Sequence, residues 1–447
     1  MTEPSRSSST RSLSRQDLRT LILASLGGAL EFYDFIIFVF FAAAISHLFF
    51  PPGMPDWLQQ LQTFGIFAAG YLARPLGGLV MAHFGDKLGR KRMFTFSIFL
   101  MAVPTLLIGL TPTYATLGYA APILLLIFRM MQGAAIGGEG PGAWVFVSEH
   151  VPPRHVGLAV GMLTGGLTGG IMLGSLMATA INTAMTPAEV AAWGWRIAFL
   201  IGGVFGLLAM YLRRFLRETP VFEEMRRRAE LTRDLPIKRV LAGHGRGVAI
   251  SMLMTWMLTA AIVVVILMTP TLLQKLHGLT PAETLRGNLA ATFTLSVSAI
   301  LCGWLLDRFG SIRVGIAGGL ALLATTYALY IGAGLRPDLL VPLYALAGVA
   351  IGGITVVPFV MIHAFPPPIR FTGVSFAYNV AYAIFGGLTP LLVSGLVAID
   401  PLGPAHYVAA VALVGIVTLL VNGRPAASAL PAATPAPLPG EARTAAR

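Results

Sequence analysis

The chain has 447 residues, 56% of them hydrophobic and only 11% charged, with a formal net charge of +12 and a mean hydropathy of +0.77. A soluble protein of this length carries about twice that share of charge, so the composition excludes a soluble globular domain and requires many segments buried in lipid. The cations stand between apolar runs rather than beside aromatic residues on a polar domain, which argues against a nucleic-acid partner.

Residues 1–20 are rich in Ser and Arg and lack an apolar core with a small-residue cleavage site, so they read as a cytoplasmic tail rather than a signal peptide. Twelve apolar segments follow, at 21–46, 62–84, 93–110, 118–148, 156–183, 196–212, 247–272, 285–306, 312–333, 338–364, 371–398 and 404–422. Each is long enough to cross about 30 Å of hydrocarbon. The loop 213–246 separates a bundle of six (21–212) from a second six (247–422). It holds Arg226, Arg227 and Arg228 and reads as a short amphipathic helix at the membrane surface. The tail 423–447 is rich in Ala and Pro and is expected to be disordered. The fold class is an all-α polytopic membrane protein. With the N-terminus inside, the tails and inner loops hold 25 of the 31 Lys and Arg residues, which places both termini and the central loop in the cytoplasm.

Cys302 stands alone, which excludes an internal disulfide and any cysteine metal site, and no cofactor is expected. No Ser–His pair or His/Cys/Asp metal cluster suggests an enzyme. Glycines at 165, 166, 169, 170, 174, 386 and 387 form small faces where helices can approach closely.

Ionisable residues at bilayer depth are costly and are the functional candidates. Glu31 and Asp34 lie three apart on the first segment and share a face. Arg74 and Arg129 stand near mid-depth of the second and fourth segments, and Glu139 lies ten residues after Arg129. A carboxylate that loses its Arg partner to an arriving anion can take up a proton, which is a simple route to proton–substrate symport. A static ion-pair network holding the helices together is the competing reading. In the second half the polar candidates are Tyr378 and Asn379, with Thr255, Trp256, Thr292, Thr294, Ser296 and Ser298, whose hydroxyls are expected to satisfy their own helix backbones.

The stretch Gly85-Asp86-Lys87-Leu88-Gly89-Arg90-Lys91-Arg92 has a weaker copy about 220 residues later, running from Gly303 through Asp307, Arg308 and Gly310 to Arg313. In each an apolar run ends, an Asp appears, a Gly permits a tight turn and cations follow. The Asp is expected to accept from backbone N–H groups at the start of the next helix. This pair resembles the signature loop of the major facilitator superfamily. The runs Leu30-Glu31-Phe32-Tyr33-Asp34-Phe35, Arg74-Pro75-Leu76-Gly77-Gly78, Arg129-Met130-Met131-Gln132-Gly133 and Trp193-Gly194-Trp195-Arg196 resemble its metabolite:proton symporter branch, as do Tyr378-Asn379 and Phe385-Gly386-Gly387-Leu388-Thr389-Pro390. Gly28 and Phe38 depart from that branch, where a polar residue and a Tyr are common at those places.

The resemblance implies twelve helices in two six-helix bundles, alternating access, and a substrate near midplane between the bundles. It implies proton-driven import of a small carboxylate or zwitterion across an inner membrane, by a protein expected to work as a monomer. The helix-one and helix-eleven runs favour citrate and tricarboxylate carriers, and two buried Arg residues suit an anion. A proline or betaine carrier is the alternative, and a non-transporting membrane sensor is the alternative of another class. Arg74, Arg129, Tyr33, Tyr378 and Asn379 are expected at the substrate. Asp34, Glu31 and Glu139 are expected to couple protons, and Asp86, Gly89, Arg90, Asp307 and Arg308 to gate. The residues leave sodium open as coupling ion.

Overall fold

The computed structural model describes residues 12–213, 215, 218–227 and 236–422. The expectation for the tail 423–447, and those for residues 1–11 and Arg228, lie outside the described residues, as does the side chain of Arg90.

Among the described residues, twelve crossing helices follow one another. The first six are α1 (Arg15–Phe40), α2 (Asp56–Leu88), α3 (Arg90–Leu110), α4 (Ala120–His150), α5 (Val156–Ala184) and α6 (Trp195–Arg213). In the second half, α7 runs from Gly245 to His277, with a π-helical stretch at Ala260–Met268. One helical run, Pro281–Leu335, bends at Gly310 and so supplies two crossings, α8 (281–309) and α9 (311–335). Then come α10 (Leu340 to His363, with a 3-10 turn at Gly352–Thr355), α11 (Arg370 to Ile399, π-helical at Tyr382–Gly386) and α12 (Gly403–Asn422). Ten described helices are long and apolar enough to cross a bilayer, the bent 283–335 run counting as one. The 33-residue α2 is not among those ten.

Local chemistry sets the helix ends. α1 starts at Arg15, six residues before the expected boundary, because Ser14 and Asp17 form a capping box. The Ser14 hydroxyl accepts from the Asp17 N–H at 3.1 Å, and the Asp17 carboxylate accepts from the Ser14 N–H at 2.9 Å. Thr280 and Glu283 start α8 in the same way. The two signature loops turn at equivalent glycines, each three residues after its Asp: Gly89 has φ 113° and Gly310 has φ 81°. A side chain at either would be strained.

Glycine also sets how closely the helices pack. Gly133 and Gly137 of α4 lie against the backbone of Gly70 and Arg74 on α2, so that a Cβ at either would overlap a carbonyl. The glycines of α5 divide into two stripes. Gly166, Gly170 and Gly174 receive α1 at Ser25, Ala29 and Ile36, inside the first bundle. Gly157, Gly161 and Gly165 receive α8 of the second bundle, where Gly157 and Gly161 meet Gly303 backbone to backbone. Gly169 and Gly387 have nothing within 4 Å of where a Cβ would stand, so the expected small face does not extend to them. In the central loop two short helices are described, Pro220–Arg227 and Pro236–Gly243.

Candidate functional site

Arg74 sits where the two bundles meet. It lies twelve residues before Asp86 on α2, about 18 Å along the helix axis. Its guanidinium is enclosed by three tyrosine rings, at 5.3 Å from the centroid of Tyr71, 5.5 Å from Tyr378 and 4.3 Å from Tyr382. Tyr71 comes from the first bundle and the other two from α11 of the second. The rings of Tyr71 and Tyr382 stack across the boundary at 5.7 Å and 11°, and Tyr378 is braced edge-on by Trp144 of α4. Arg74 is 3% exposed, its Nε has no acceptor, and no carboxylate pairs with it among the described residues. A desolvated cation–π contact is worth about 2 kcal/mol, while removing a cation from water costs several kcal/mol. The rings therefore hold Arg74 in place and leave its charge largely uncompensated.

Arg129 lies deeper in the first bundle. Its guanidinium is clamped between Phe35 and Phe38 of α1, at 4.6 and 4.4 Å from the ring centroids. Phe38 thus gives this cation a ring without the hydroxyl that a Tyr would carry. Nη1 donates to Gln132 Oε1 at 2.8 Å and to the Phe35 carbonyl at 3.3 Å. Phe35 in turn packs edge-on against Tyr71 at 5.4 Å and stands between the two arginines.

The acids do not gather at the bundle boundary. Asp34 is fully buried against α3 and α6, beside Thr105 and in the space left by Gly202 and Gly206, and neither of its oxygens has a hydrogen-bond partner. Glu31 is buried one turn away on α1. Glu139 of α4 accepts from the Ser97 hydroxyl of α3 at 2.5 Å. Tyr33, expected at the substrate, faces away from the boundary. Its hydroxyl donates to the Ala198 carbonyl of α6 at 2.9 Å and its ring packs on Phe205.

Asn379 crosses between the bundles. Its Nδ2 donates to the Gly137 carbonyl of α4 at 2.6 Å, and the Ser375 hydroxyl donates to the same oxygen at 3.3 Å. That carbonyl is free because residue 141, four positions on, is proline and has no N–H to offer it. The same device recurs in the second bundle: Pro270 leaves the Ile266 carbonyl open, and Asn288 Nδ2 donates to it at 2.6 Å. The hydroxyls of Thr255, Thr292 and Ser296 bond carbonyls of their own helices, as expected.

The two signature aspartates do not cap the helix that follows them, as was expected, but a helix of the opposite bundle. Asp86 Oδ2 accepts from the N–H and hydroxyl of Thr372 at the start of α11, at 3.1 and 2.7 Å. Asp307 accepts from the N–H groups of Gly157 and Leu158 at the start of α5, at 2.6 and 2.8 Å. The start of α3 is instead served by Glu218 of the central loop, whose carboxylate accepts from the Lys91 N–H at 3.2 Å and lies against Gly89. The next residue, Thr219, donates to Glu149 of α4 at 2.9 Å, and Glu149 pairs with Arg370 of α11 at 3.3 Å. Among the described residues, Asp86–Thr372, Asp307–Gly157/Leu158 and Glu149–Arg370 thus link the two bundles at the loop-bearing end. Arg308, expected among the gating residues, is exposed and lies over the Trp304 ring at 5.3 Å.

Sequence reasoning missed Tyr71, Tyr382, Thr105, Gln132, Glu218 and the Glu149–Arg370 pair. Pro141, four residues after Gly137, was a readable signal for a free carbonyl; uncharged side chains such as Thr105 carry none.

The family comparison agrees with this architecture. A model of the Major Facilitator Superfamily matches residues 35–390. The inner membrane metabolite transport protein YhjE of Escherichia coli is 31% identical, over 90% of this chain and 93% of its own. The citrate-proton symporter of Klebsiella pneumoniae is 31% identical, over 92% and 93%, and the proline/betaine transporter of Salmonella typhimurium is 32% identical, over 94% and 86%. Among solved structures, the proton:xylose symporter XylE bound to 6-bromo-6-deoxy-D-glucose matches with a TM-score of 0.73 at 17% identity, over 90% of this chain and 94% of that one. With twelve helices in two bundles and this match over most of its length, the chain belongs to the major facilitator superfamily and is a membrane transporter, not an enzyme.

Proposed function

We propose that the protein imports a small organic acid together with protons by alternating access, with citrate or another di- or tricarboxylate as the first candidate. The observation that carries this reading is Arg74, a buried cation in a tyrosine cage at the bundle boundary with no carboxylate partner among the described residues. A guanidinium of this kind suits a carboxylate, which it can bind bidentately. Tyr378 and Tyr382 bring the second bundle to the same point, so a substrate seated there touches both halves. Arg129 supports the site from below through Phe35 and Tyr71.

Asp34 is the proton site. A charged carboxylate without a donor is costly in that setting, and a proton removes the cost. Glu31 and Glu139 belong to the same buried acidic set, and Asp86, Gly89, Arg90 and Asp307 form the gate at the cytoplasmic end. In this reading the protein lies in the inner membrane as a monomer with both termini in the cytoplasm. The relative named for citrate fits this reading, and the one named for proline/betaine supports a zwitterion as the second.

Uptake of radiolabelled citrate into proteoliposomes, with and without an inward proton gradient and with proline as competitor, tests the proposal. Gradient-dependent citrate uptake untouched by proline is the expected result. Proline carried while citrate is inert moves the assignment to the zwitterion. Asp34→Asn is expected to abolish gradient-driven uptake and to spare counterflow exchange; equal loss of both would remove Asp34 from the coupling role.

A further inference from the structure

Between Asp34 and Arg129 lie two uncharged side chains, Thr105 and Gln132, to which the sequence reading gives no role. Thr105 of α3 stands beside Asp34, its methyl sharing with Asp34 Oδ1 the space left by Gly202. The Thr105 hydroxyl donates to the Met101 carbonyl at 2.9 Å and accepts from Gln132 Nε2 at 2.7 Å. The other end of the same amide, Gln132 Oε1, accepts from Arg129 Nη1 at 2.8 Å. Thr105 and Gln132 are both fully buried. The chain of bonds runs without a break from Arg129 to Thr105 and stops one contact short of Asp34, whose two oxygens are the unpartnered atoms at its end.

We propose that Thr105 and Gln132 form a relay that transmits the protonation state of Asp34 to Arg129, and that both are positioning residues for proton coupling. The proposal rests on Asp34 as the proton site. With Asp34 protonated, the Thr105 hydroxyl has no anion to serve and stays on the Met101 carbonyl of its own helix, as seen here. When Asp34 gives its proton to water, the carboxylate becomes the stronger acceptor, since hydrogen bonds to ions are roughly twice as strong as neutral ones. The Thr105 side chain then turns about its Cα–Cβ bond and carries the hydroxyl from Met101 to Asp34, whose Oδ1 now faces the Thr105 methyl. The hydroxyl oxygen turns with it, so Gln132 Nε2 must follow, and the carbonyl end of Gln132 moves relative to Arg129 Nη1. Arg129 is clamped on Phe35, and Phe35 packs on Tyr71 of the Arg74 cage, so the shift reaches the substrate cation. No proton travels along the relay; the only proton exchanged is that between Asp34 and water.

The groups around Asp34 are few. From α1 come Glu31 and Tyr33, the latter bonded to Ala198. α6 presents Gly202 and Gly206, while from α4 Arg129 reaches Asp34 through Gln132 and Thr105 and Glu139 is held by Ser97. Thr105 is the hydroxyl that α3 offers.

The test needs no knowledge of the substrate. Spin labels at Leu88→Cys and His363→Cys, in a Cys302→Ser background, report the distance across the loop-bearing end in lipid vesicles as pH is varied. The parent protein is expected to change its distance distribution with pH, and Asp34→Asn to abolish the change. Thr105→Val and Gln132→Met, which keep shape and remove the bonds, are expected to move the midpoint by about one pH unit or more, tenfold in proton concentration. Thr105→Ser, which keeps the hydroxyl, is expected to titrate like the parent. If Thr105→Val does not fold, Gln132→Met carries the test alone. A parental midpoint in folded Thr105→Val and Gln132→Met, with Asp34→Asn pH-insensitive, overturns the relay and leaves the proton site standing. A pH response that survives Asp34→Asn overturns the proton site and the relay with it.

Discussion

Asp86 of α2 holds Thr372 of α11 by two hydrogen bonds to one carboxylate oxygen, from the backbone N–H at 3.1 Å and from the hydroxyl at 2.7 Å. Asp307 repeats the arrangement from the other bundle onto Gly157 and Leu158. Both carboxylates sit at helix N-termini, where N–H groups lack intrahelical partners and the macrodipole favours negative charge. Replacing either by Asn keeps the size and removes the charge-assisted bonds, each worth about 1.5–3 kcal/mol. Asp86→Asn and Asp307→Asn are therefore expected to open the loop-bearing end, shifting its closed population roughly tenfold or more. The check is the spin-label distance between Leu88→Cys and His363→Cys: an unchanged distribution in both variants would remove these bonds from the gate.

The fold was legible because lipid imposes a simple rule: long apolar helices separated by cation-rich loops. Gly89 and Gly310 were also legible as turns, since the Asp-x-x-Gly spacing repeats and both glycines adopt positive φ. Which helix each Asp caps was not legible. Sequence neighbourhood pointed to α3 and α9, whereas tertiary closure brings α11 and α5 to those carboxylates and Glu218 to α3. The buried charges were found as types, Arg74 and Asp34 among them, but not as partners. Asp34 and Arg74 share no contact because Asp34 faces α6, a direction fixed by small residues at Gly202 and Gly206 rather than by any charge. Of the three rings of the tyrosine cage, one was visible, Tyr378. Tyr71 and Tyr382 looked like ordinary aromatic residues in apolar helices until packing placed both on one guanidinium.

Arg74 offers a graded series. Arg74→Lys keeps the charge but loses the planar fork and its stacking on three rings. It is expected to raise the KM for uptake about tenfold or more, with a smaller effect on kcat, as a loss of substrate binding does. Arg74→Gln is expected to abolish saturable uptake. Tyr382→Phe retains the ring face and should resemble the parent, whereas Tyr382→Leu removes the nearest face, at 4.3 Å, and forfeits about 1–2 kcal/mol. Transport kinetics in proteoliposomes separate the four. A parental KM in Arg74→Lys would place the substrate carboxylate elsewhere.

Gly133 is a packing site with no tolerance. A Cβ there would overlap the Gly70 carbonyl, which belongs to the backbone and has no rotamer to change. Gly133→Val is expected to force α4 from α2, at about 1–3 kcal/mol or more, and to lower the thermal unfolding midpoint of the detergent-solubilised protein. Gly169→Ala, on an open face of α5, is the control and is expected to leave that midpoint unchanged. Equal midpoints for Gly133→Val and the parent would contradict the close approach of the two helices.

The Gly137 carbonyl exists as an acceptor only because Pro141 cannot satisfy it. Pro141→Ala supplies an N–H four residues on, so the helix can close its own bond and compete with Asn379. Asn379→Leu removes the donor from the other side and leaves the carbonyl with the longer Ser375 bond at 3.3 Å. Each change is expected to weaken the same link between α4 and α11, by about 1 kcal/mol for Pro141→Ala and 1–3 kcal/mol for Asn379→Leu, where a buried acceptor loses its stronger donor. In the double variant the new backbone bond should rescue the acceptor that Asn379→Leu deprives, so the effects are expected to be less than additive. The closed population, read from the same spin-label pair, measures all four corners of the cycle. Strict additivity would mean that Pro141 and Asn379 act through different contacts and that the proline does not create the acceptor.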